Sequence, residues 1–382
     1  RFDVKIVLLT SEFLPVFGGI GAYARELANA GARLGDEIIV VAPSYFKDNS
    51  EIDAALGYTV VRYEGGRHSA RELWKKITLM FRLRSILDSA DVVHAVDWPF
   101  YIPLAIVDNF LSSGPRRYIT FHGTEINYMK SPIRKMLLTA TSFWSKWAVF
   151  ITNSIYTKDL LFSSFPQAKD IETRAVPLGV NRPKIFFDKG FARKKLEISE
   201  DDFIVLTVGR LVRRKGHLML AKALSKIDPS HAKRLQWVIC GPDGDPDYMR
   251  DFEQIQARLP VRVRKAGAVS DEDLALYYAA ADIFCLTSEV SSAGQVEGFG
   301  LVYLEAAAHG VPALGTRVGG IPDAVIDGET GILIPPNDID AITQNLVSVM
   351  DNPDCLKQLG YAAKRHADGQ TWENVFMETY RI

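Results

Sequence analysis

Apolar runs of strand length, each ending in glycine or polar residues and each followed by a helical segment, recur along both halves of the sequence. The first run, residues 4–10, leads into the glycine-rich segment 18–21 and the helical segment 22–34, and the next strand occupies 37–41. Parallel strands need a crossover connection, usually a helix, so this alternation predicts βαβ units and parallel sheets. It restarts at residues 203–210, and 382 residues exceed what one hydrophobic core usually organises. We therefore predict an α/β protein with two doubly wound domains.

The composition argues against several classes of protein. A hydrophobic fraction of 47% and a charged fraction of 24% are ordinary for a soluble globular chain. A net charge of −1 gives no support to a nucleic-acid partner. The cysteines Cys240, Cys285 and Cys355 are widely spaced, which argues against a disulfide framework and against a metal cluster. Because there is no apolar run of membrane-spanning length, and a strand stands where a signal peptide would, we expect a cytoplasmic protein.

The segment 297–305 carries two carboxylates, Glu297 and Glu305, with glycines beside the first of them. Carboxylates at this spacing do not share one face of a helix, so we expect Glu297 in a loop and Glu305 inside the following helix. The loop glycines then leave the first helical N–H groups, from Phe299 to Val302, open to an anion. Two carboxylates around a bare helix N-terminus suit a ligand made of a sugar, a diphosphate and a ribose.

Arg210 and Lys215 stand between the predicted strand 203–210 and the helix after it. A guanidinium binds a diphosphate bidentately and an ammonium adds a point charge. We interpret the two as a clamp for a leaving diphosphate, with a solvated basic loop as the alternative. A later strand, 261–269, ends at Val269, where main-chain groups can read a nucleobase.

Asp243 and Asp245 follow the strand 235–240 and allow two interpretations. Paired carboxylates suit a divalent metal ion bound with a nucleotide. Glycine, proline and aspartate together are also explained by turn chemistry alone. Because Arg210 and Lys215 are available to neutralise phosphate, we favour the turn and expect no metal site.

The N-terminal glycines match the spacing of a dinucleotide-binding fingerprint, with Gly19, Gly21 and Ala24 at its three positions. Two features argue against a nicotinamide enzyme. About eight residues separate the strand from the glycines, and the second strand ends without an acidic residue to hold a ribose. A glycine loop over a diphosphate and a purely structural turn both stay open.

Polar side chains lie at the ends of three strands in the first half, where a doubly wound sheet binds its ligands. His94 and Asp97 belong to the end of one strand, His122 follows a second, and Asn153 follows a third. The glycine after His122 lets backbone approach closely, so we favour a functional role for this histidine. For His94 and Asp97, structural and functional roles are equally open.

Two basic, aromatic segments, residues 70–87 and 130–147, have helical character. Residues 62–147 contain 13 Lys and Arg against 7 Asp and Glu. The polar positions of the first segment include Arg71, Lys75, Lys76, Arg82 and Arg84. Two amphipathic helices with solvated charges explain the pattern. Docking on an anionic membrane, helped by interfacial tryptophans, is the alternative.

The sequence resembles the retaining glycosyltransferases of family 4, through motifs that run from residue 18 to residue 331. The matching residues are Gly18-Gly19-Ile20-Gly21, Phe121-His122-Gly123, Gly209-Arg210-Leu211 with Lys215-Gly216, Glu297-Gly298-Phe299-Gly300 with Glu305, Gly310-Val311-Pro312, Gly319-Gly320-Ile321-Pro322 and Gly328-Glu329-Thr330-Gly331. The resemblance implies the GT-B fold, in which two Rossmann-like domains face a central cleft. Their expected ranges are 1–180 on the acceptor side and 181–365 on the nucleotide-sugar side, with a C-terminal helix in 366–382 that crosses back to the first domain.

The resemblance also implies a hexosyltransferase that uses a UDP- or GDP-sugar, a glycan or lipid-linked acceptor, no cofactor and no metal. The residues implied as catalytic are His122, Arg210, Lys215 and Glu297. Those implied for donor binding are Gly19, Val269, Gly298, Phe299, Gly300, Leu301 and Glu305, and the candidate acceptor residues are Asp97 and Asn153. The implied mechanism is a front-face displacement in which the leaving phosphate deprotonates the acceptor. Double displacement would need Glu297 as its nucleophile.

Two other functions are open at this point: a nucleotide-sugar epimerase with the same fold, and an inactive sugar-nucleotide-binding protein. The epimerase leaves the pair Glu297 and Glu305 unexplained, and the inactive protein does not account for chemically intact motifs. The sequence departs from the family in the loop 289–296, which is longer than the usual link. That loop leaves the choice of donor sugar open.

Overall fold

The computed structural model describes residues 4–15, 18–45, 48–65, 70–112, 114–141, 143–145, 147–291, 294 and 296–380. The chain divides into two compact units. The first reaches to Leu178 and also includes the C-terminal segment from Trp372, and the second is Gly179–Thr371. Each unit is a parallel sheet with helices, which confirms the predicted α/β class and its two doubly wound domains.

Within the described residues, seven parallel strands form the sheet of the first unit. They are β1 (Lys5–Leu9), β2 (Glu37–Ser44), β3 (Thr59–Glu64), β4 (Val92–Ala95), β5 (Arg116–Phe121), β6 (Ala148–Thr152) and β7 (Thr173–Ala175). Their order is β3-β2-β1-β4-β5-β6-β7, and β1 pairs with both β2 and β4. The strand order therefore reverses beside β1, which is the position where doubly wound sheets bind ligands.

The helices of the first unit connect these strands. They are α1 (Gly19–Leu34), α2 (Ser50–Ala54), α3 (Ala70–Arg82), α4 (Arg84–Asp88), α5 (Tyr101–Val107), α6 (Thr124–Met129), α7 (Pro132–Ala140) and α8 (Ile155–Ser164), with short 3-10 turns at Trp98–Phe100, Asp108–Phe110 and Pro166–Asp170. No helix among the described residues is both long and apolar enough to cross a membrane.

In the second unit, six parallel strands form the sheet of the described residues. They are β8 (Phe203–Val208), β9 (Leu235–Cys240), β10 (Arg262–Gly267), β11 (Ile283–Leu286), β12 (Ala313–Thr316) and β13 (Gly331–Ile334), in the order β10-β9-β8-β11-β12-β13. The helices are α9 (Lys189–Lys195), α10 (His217–Leu224), α11 (Pro229–Ala232), α12 (Pro246–Gln256), α13 (Asp271–Ala280), α14 (Leu301–Ala308), α15 (Ile321–Ala324), α16 (Ile339–Asp351) and α17 (Pro353–Gly369), with a 3-10 turn at Arg213–Lys215. The sequence pattern did not identify β3, β7, β12 or β13.

The central strands are mostly apolar because helices cover both faces of the sheet. All six residues of β9 are buried. The indole of Trp237 in this strand donates a hydrogen bond to Oγ1 of Thr207 at 2.9 Å, so its polar atom is satisfied inside the core.

The C-terminal helix α18 (Trp372–Tyr380) belongs to the first unit. Tyr380 is fully buried in the core of that unit, and Arg174 donates to the carbonyl of Thr379 at 2.8 Å. The chain returns at Trp372, six residues later than the boundary expected at 366, because α17 is part of the second unit. The first boundary falls after Leu178, where the sequence placed it after residue 180.

The second basic segment is not helical throughout. The helix α7 ends at Ala140, and Trp144 and Trp147 then pack partly buried against the core around Phe143. These two rings therefore help to complete the core, and the alternative of membrane docking does not rest on them. Lys146 lies outside the described residues.

The environment of Lys76 also differs from the prediction, which placed this residue among the polar positions of the helix. Its side chain is 2% exposed, and Nζ lies 5.7 Å and 5.8 Å from the ring centroids of Tyr63 and Phe100. Burial lowers the pKa of Lys76, while the charge of Glu72 acts in the opposite direction. The ammonium lies against aromatic faces. The side chain of Arg71 lies outside the described residues.

Candidate active site

The helix α14 begins at Leu301, so Phe299 and Gly300 belong to the loop before it. The expected row of helical N–H groups is therefore shifted by two residues, because Gly300 adopts a left-handed conformation with φ of +90° that a helix cannot include. Glu297 lies in the loop and Glu305 inside the helix, as predicted. The N–H groups of Leu301 and Val302 lie in the first turn, which has no intrahelical acceptors.

Glu297 is the anionic centre of this loop. Its Oε2 accepts from Nζ of Lys215 and from Nη1 of Arg214, both at 2.6 Å. Burial alone would raise the pKa of Glu297, but the charges of Lys215 and Arg214 outweigh it and the net shift is downward. The carboxylate is therefore ionised and held by two cations.

The backbone of Glu297 is fixed by the glycine pair that follows β12. Gly320 donates its N–H to the carbonyl of Glu297 at 2.9 Å. Gly319 has φ of +57°, and a Cβ there would lie 2.1 Å from the same carbonyl oxygen. Only glycine fits this approach, which gives the Gly-Gly pair a direct role in placing the carboxylate.

The two cations lie in the 3-10 turn Arg213–Lys215, which ends at Gly216. Oγ1 of Thr287, just after β11, donates to the carbonyl of Gly216 at 2.8 Å. A Cβ at Gly216 would lie 1.7 Å from the carbonyl oxygen of Thr287, and its φ is +72°. The turn after β8 is thereby held against the end of β11, and this contact fixes where Lys215 and Arg214 start.

Arg210 is exposed and forms no ion pair with the residues that the structure describes. The side chain of Lys215 passes beside Gly209, since a Cβ at that glycine would lie 3.7 Å from Cδ and Cε of Lys215. The two predicted clamp residues therefore flank the same strand end, but only Lys215 has a carboxylate partner. A free guanidinium is available to an anionic ligand.

Glu305 is held by an aromatic pair. The hydroxyl of Tyr278 donates to Oε2 of Glu305 at 3.2 Å, and the Tyr278 ring stacks on His309 with centroids 5.0 Å apart. Burial raises the pKa of Glu305, while the bond from Tyr278 and the charge of Lys215 lower it. Lys215 thus interacts electrostatically with both Glu297 and Glu305.

In the first unit, His122 follows β5. Its Nε2 lies 3.0 Å from the carbonyl oxygen of Val96, so Nε2 carries a proton and donates it to that oxygen. The backbone N–H groups of His122 and Gly123 both donate to the buried carboxylate of Glu125. The rings of His122 and Tyr23 also pack edge to face with their centroids 5.1 Å apart, so the orientation of the imidazole is fixed on two sides.

The remaining candidates of the first unit differ in their surroundings. Asn153 is buried and donates to the carbonyl of His122 at 3.3 Å, so it supports the histidine. Asp97 accepts from the backbone and hydroxyl of Ser11. Burial raises the pKa of Asp97 to about 7, although the bonds from Ser11 and the charge of Lys76 lower it.

His94 is a structural residue. Its ring nitrogens lie 2.8 Å from the hydroxyl of Tyr380 and 2.7 Å from that of Thr120. Burial lowers the pKa of His94 to about 3. A neutral, fully partnered imidazole inside the core links the sheet to α18 and has no free atom for catalysis.

The glycine loop before α1 carries a carboxylate of its own. Gly21 donates to Oε1 of Glu12 at 3.4 Å, and a Cβ at Gly18 would lie 1.8 Å from that oxygen. Gly19 is exposed, with no atom within 4 Å of the position of a Cβ. The backbone at Gly19 is therefore accessible to a ligand, whereas Gly18 and Gly21 lie against the side chain of Glu12.

Asp243 forms an ion pair with Lys265 at 3.1 Å. Across the described residues, no group of three or more His, Cys, Asp or Glu side chains is placed to hold a metal ion. Val269 lies two residues beyond β10 and is half-buried, as expected for a loop at a strand end.

Sequence reasoning missed Arg214, Tyr278 and Glu125. The run Arg213-Arg214-Lys215 signalled a cluster of charge, but only the turn geometry decides which of the three side chains reach Glu297. The spacing of Glu125 gave a signal, since a carboxylate three residues after His122 can accept the N–H groups that follow the strand. Tyr278 lies 27 positions from Glu305, and nothing in the sequence pairs them.

Two family models together match most of the chain. The model described as Glycosyltransferase Family 4 matches residues 17–182, and the model described as Glycosyl transferases group 1 matches residues 188–366. The chain belongs to glycosyltransferase family 4. This glycosyltransferase is 29% identical over 379 residues to a Mycolicibacterium smegmatis protein, GDP-mannose-dependent alpha-(1-6)-phosphatidylinositol monomannoside mannosyltransferase, across 96% of this chain and 95% of that one.

Solved structures agree with the fold of the glycosyltransferase. Sucrose-phosphate synthase from Thermosynechococcus elongatus superposes with a TM-score of 0.78 at 23% identity, over 99% of this chain and 98% of that one. The Anabaena protein HepE, solved in complex with UDP and glucose, superposes with a TM-score of 0.74 at 19% identity, over 99% of each chain. At these identities the likeness shows the fold, and the GT-B architecture expected from the motifs is confirmed.

Proposed function

We propose that this glycosyltransferase transfers a hexose, with retention of configuration, from a UDP- or GDP-sugar to a hydroxyl of a glycan or lipid-linked acceptor. The observation that carries the proposal is the position of Lys215, bound to Glu297 at 2.6 Å and interacting electrostatically with Glu305. A cation that pairs with one carboxylate and acts electrostatically on a second, next to a helix N-terminus, suits the order of sugar, diphosphate and ribose in a nucleotide sugar.

In this proposal the leaving diphosphate is stabilised by Arg210, Lys215 and the N–H groups at the start of α14. These cations and dipoles are fixed before reaction, so they stabilise the charge that develops on the leaving group. Phe299, Gly300 and Leu301 supply the backbone next to the diphosphate and sugar, Gly298 gives the loop room, and Val269 contacts the base.

Glu297 binds the hydroxyls of the transferred sugar, and Glu305 binds those of the ribose. An ionised carboxylate accepts hydrogen bonds from hydroxyls, and neither carboxylate is assigned as a nucleophile. His122 is assigned to the transferred sugar, Gly19 to the diphosphate through its backbone, and Asp97 and Asn153 to the acceptor side. The leaving phosphate takes the proton of the acceptor, which is a front-face displacement.

The donor sugar that we propose to test first is GDP-mannose, since the Mycolicibacterium smegmatis relative is named as GDP-mannose-dependent. UDP-glucose is the second, because HepE was solved with UDP and glucose. The acceptor proposed is a lipid-linked glycan, and we propose that catalysis needs no metal because Arg210 and Lys215 supply the cationic charge.

The proposal is tested by donor binding followed by transfer. The protein is melted with GDP-mannose, UDP-glucose, GDP or UDP, and a ligand at 100 times its Kd stabilises the fold by about 2.7 kcal/mol. Labelled donor is then incubated in EDTA with vesicles that contain phosphatidylinositol monomannoside. We expect one donor to stabilise the protein and to label the lipid.

Each contrary outcome identifies another function. A sugar converted to its epimer without acceptor would make the protein an epimerase. Stabilisation by a donor without any turnover would make it a binding protein. Neither binding nor turnover with any UDP- or GDP-sugar would overturn the proposal.

We also propose that the first unit contacts an anionic membrane surface. Trp74 on α3 and Ile133 and Met136 on α7 are 70%, 70% and 64% exposed, and Lys75 and Lys135 beside them are exposed cations. Apolar side chains next to cations suit anionic lipid headgroups, in agreement with the excess of positive charge between residues 62 and 147.

Sedimentation with vesicles tests this contact. We expect binding to phosphatidylglycerol vesicles, no binding to phosphatidylcholine vesicles, and weaker binding after Trp74→Ala or Ile133→Ser. Tyr361→Ala is the matched control, because Tyr361 is 76% exposed in the second unit. Equal binding by all variants, or no binding at all, would contradict the proposal.

A further inference from the structure

Arg214 contacts both ends of the loop 289–296. Its carbonyl accepts the N–H of Glu289 at 2.9 Å, and its guanidinium donates to Glu297 at 2.6 Å. The intervening residues 292, 293 and 295 lie outside the described residues. A single residue in the turn after β8, through its backbone carbonyl and its guanidinium, thus ties the start of the loop to the carboxylate that follows it.

Lys215 and Arg214 share one oxygen of Glu297, Oε2. The two cations differ in what they can do when a diphosphate arrives. An ammonium on a flexible stem turns readily to a new anion, whereas a planar guanidinium keeps its orientation on a carboxylate. If Lys215 turns to the diphosphate, Arg214 is the cation that remains on Glu297.

A buried carboxylate without a cation takes up a proton, because burial disfavours the charged form. Within the described part of the chain, the charged and titratable groups that interact with Glu297 are Lys215, Arg214 and Tyr303. The hydroxyl of Tyr303 donates to the carbonyl of Leu286 at 2.6 Å, so it does not replace a cation. Among the residues that the structure describes, Arg214 is then the cation that keeps Glu297 ionised while Lys215 serves the phosphate.

We propose that Arg214 is a positioning residue that holds Glu297 ionised and aimed at the transferred sugar during turnover. This inference rests on the proposed function, since it assigns the sugar to Glu297 and the diphosphate to Lys215. It also explains why the loop 289–296 can be longer than usual: its two ends are tied to the same residue. The length between them is free to vary.

The first test compares pH profiles of sugar transfer from GDP-mannose or UDP-glucose, whichever the wild type uses. Without Arg214, the acid limb of kcat moves to higher pH by roughly one to three pH units, the range by which a nearby opposite charge shifts a carboxyl. The pH profile of kcat is the one to compare, because it reports the enzyme–donor complex, in which Lys215 has turned to the diphosphate. Arg214→Gln is expected to show this shift and a loss of kcat of about 100-fold from a misplaced sugar. Arg214→Lys restores the pH profile, because it returns the charge.

Arg213→Gln is the matched control, since Arg213 lies in the same turn and contacts the ring of Tyr248 instead of Glu297. We expect its pH profile to equal that of the wild type. An Arg214→Gln enzyme with an unshifted acid limb would overturn the proposal, as would an equal shift in Arg213→Gln.

A second test needs no turnover and so separates this inference from the proposed function. In protein labelled with ¹³C at the glutamate carboxyls, the Glu297 resonance is identified by its loss in Glu297→Gln. Titration with and without GDP or UDP should give a higher pKa for Glu297 in Arg214→Gln than in the wild type. If the wild type transfers no sugar yet this difference appears, the transferase proposal fails and the role of Arg214 towards Glu297 stands. Identical titrations in an active enzyme refute the role of Arg214 alone.

Discussion

Lys215 and Glu297 form an ion pair in which Nζ lies 2.6 Å from Oε2. The cation that we assign to the diphosphate therefore binds the carboxylate that we assign to the sugar. When a donor contacts both side chains, its diphosphate must draw Lys215 away from Glu297, and its sugar hydroxyls must bind the carboxylate in place of the ammonium. Before the donor binds, the ion pair holds both side chains in fixed positions. It also links donor binding to the charge on Glu297.

Replacing Lys215 with alanine should lower kcat/KM for the donor by about 100- to 1,000-fold, the usual effect of losing one preorganised group that stabilises developing charge. Thermal stability should change little, because Arg214 still pairs with Glu297. Steady-state transfer assays and thermal denaturation measure both quantities. Lys226→Ala is the control, since Lys226 forms an exposed pair with Asp340. A wild-type rate in Lys215→Ala would refute the assignment.

Replacing Tyr278 with phenylalanine should weaken recognition of the ribose. Removal of the hydroxyl that bonds to Glu305 leaves the carboxylate free to turn, so affinity for GDP or UDP should fall about tenfold. Affinity for the 2′-deoxy nucleotide should change little, because it makes less use of Glu305. Calorimetric titration measures both constants, with Tyr277→Phe as the neighbouring control. An equal loss for both nucleotides would mean that Tyr278 acts only on the fold.

Asp97 should make the protein less stable as the pH rises. Burial raises its pKa to about 7 in the folded state, against an ordinary value near 3.8. The folded state therefore binds more protons between these values, and the contribution to stability present below about pH 4 is lost as the pH rises to 7. Each unit of difference between the folded-state pKa and the ordinary pKa corresponds to about 1.4 kcal/mol of stability. Asp97→Asn should reduce the fall in Tm between pH 5 and pH 8, and an unchanged fall would contradict this account.

His217 should make the protein less stable as the pH falls, which is the opposite of the effect of Asp97. Its ring is buried, neither nitrogen has a hydrogen-bond partner among the described residues, and burial lowers its pKa to about 3. The unfolded chain takes up a proton near pH 6.5 and the folded chain does not, so stability is lost as the pH falls below 6.5. His217→Leu should stabilise the fold by about 1 to 3 kcal/mol, because unpaired polar atoms leave the core.

His231 provides a contrast on the surface of the second unit. Hydrogen bonds to Asp351 and Asp228 raise its pKa above the ordinary value, so its contribution is present below pH 6.5 and lost as the pH rises through the folded pKa. His231→Asn should therefore cost more stability at pH 5.5 than at pH 8, opposite to His217→Leu. Urea titrations at the two pH values measure both variants, and the same sign for both would contradict the assignments.

The strand and helix pattern could be predicted because buried parallel strands must be apolar along their length, and β8, β9 and β11 appear in the sequence as such runs. The positions of Glu297 and Glu305 followed from glycine chemistry and helical spacing. The strands β12 and β13 escaped detection because each of these four-residue runs contains a glycine, which is more typical of a turn.

Side-chain partners from distant parts of the chain could not be predicted. His94 and His122 both lie at strand ends, but Tyr380, 286 positions away, binds the first of them within the core. Lys76 has the spacing of a polar position, yet it packs against Tyr63 and Phe100. In each case the residue type and the spacing fit two environments, and tertiary packing decides between them.

The most direct test follows the anomeric carbon through the reaction. GDP-mannose and UDP-glucose, each labelled with ¹³C at the anomeric carbon in the α configuration, are incubated in EDTA with the protein and a lipid-linked acceptor. NMR then reports the configuration of the product. We expect one donor to give an α-linked product with the wild type, and Lys215→Ala to give almost none. A β-linked product, or no product from either donor, would contradict a retaining, metal-independent transferase.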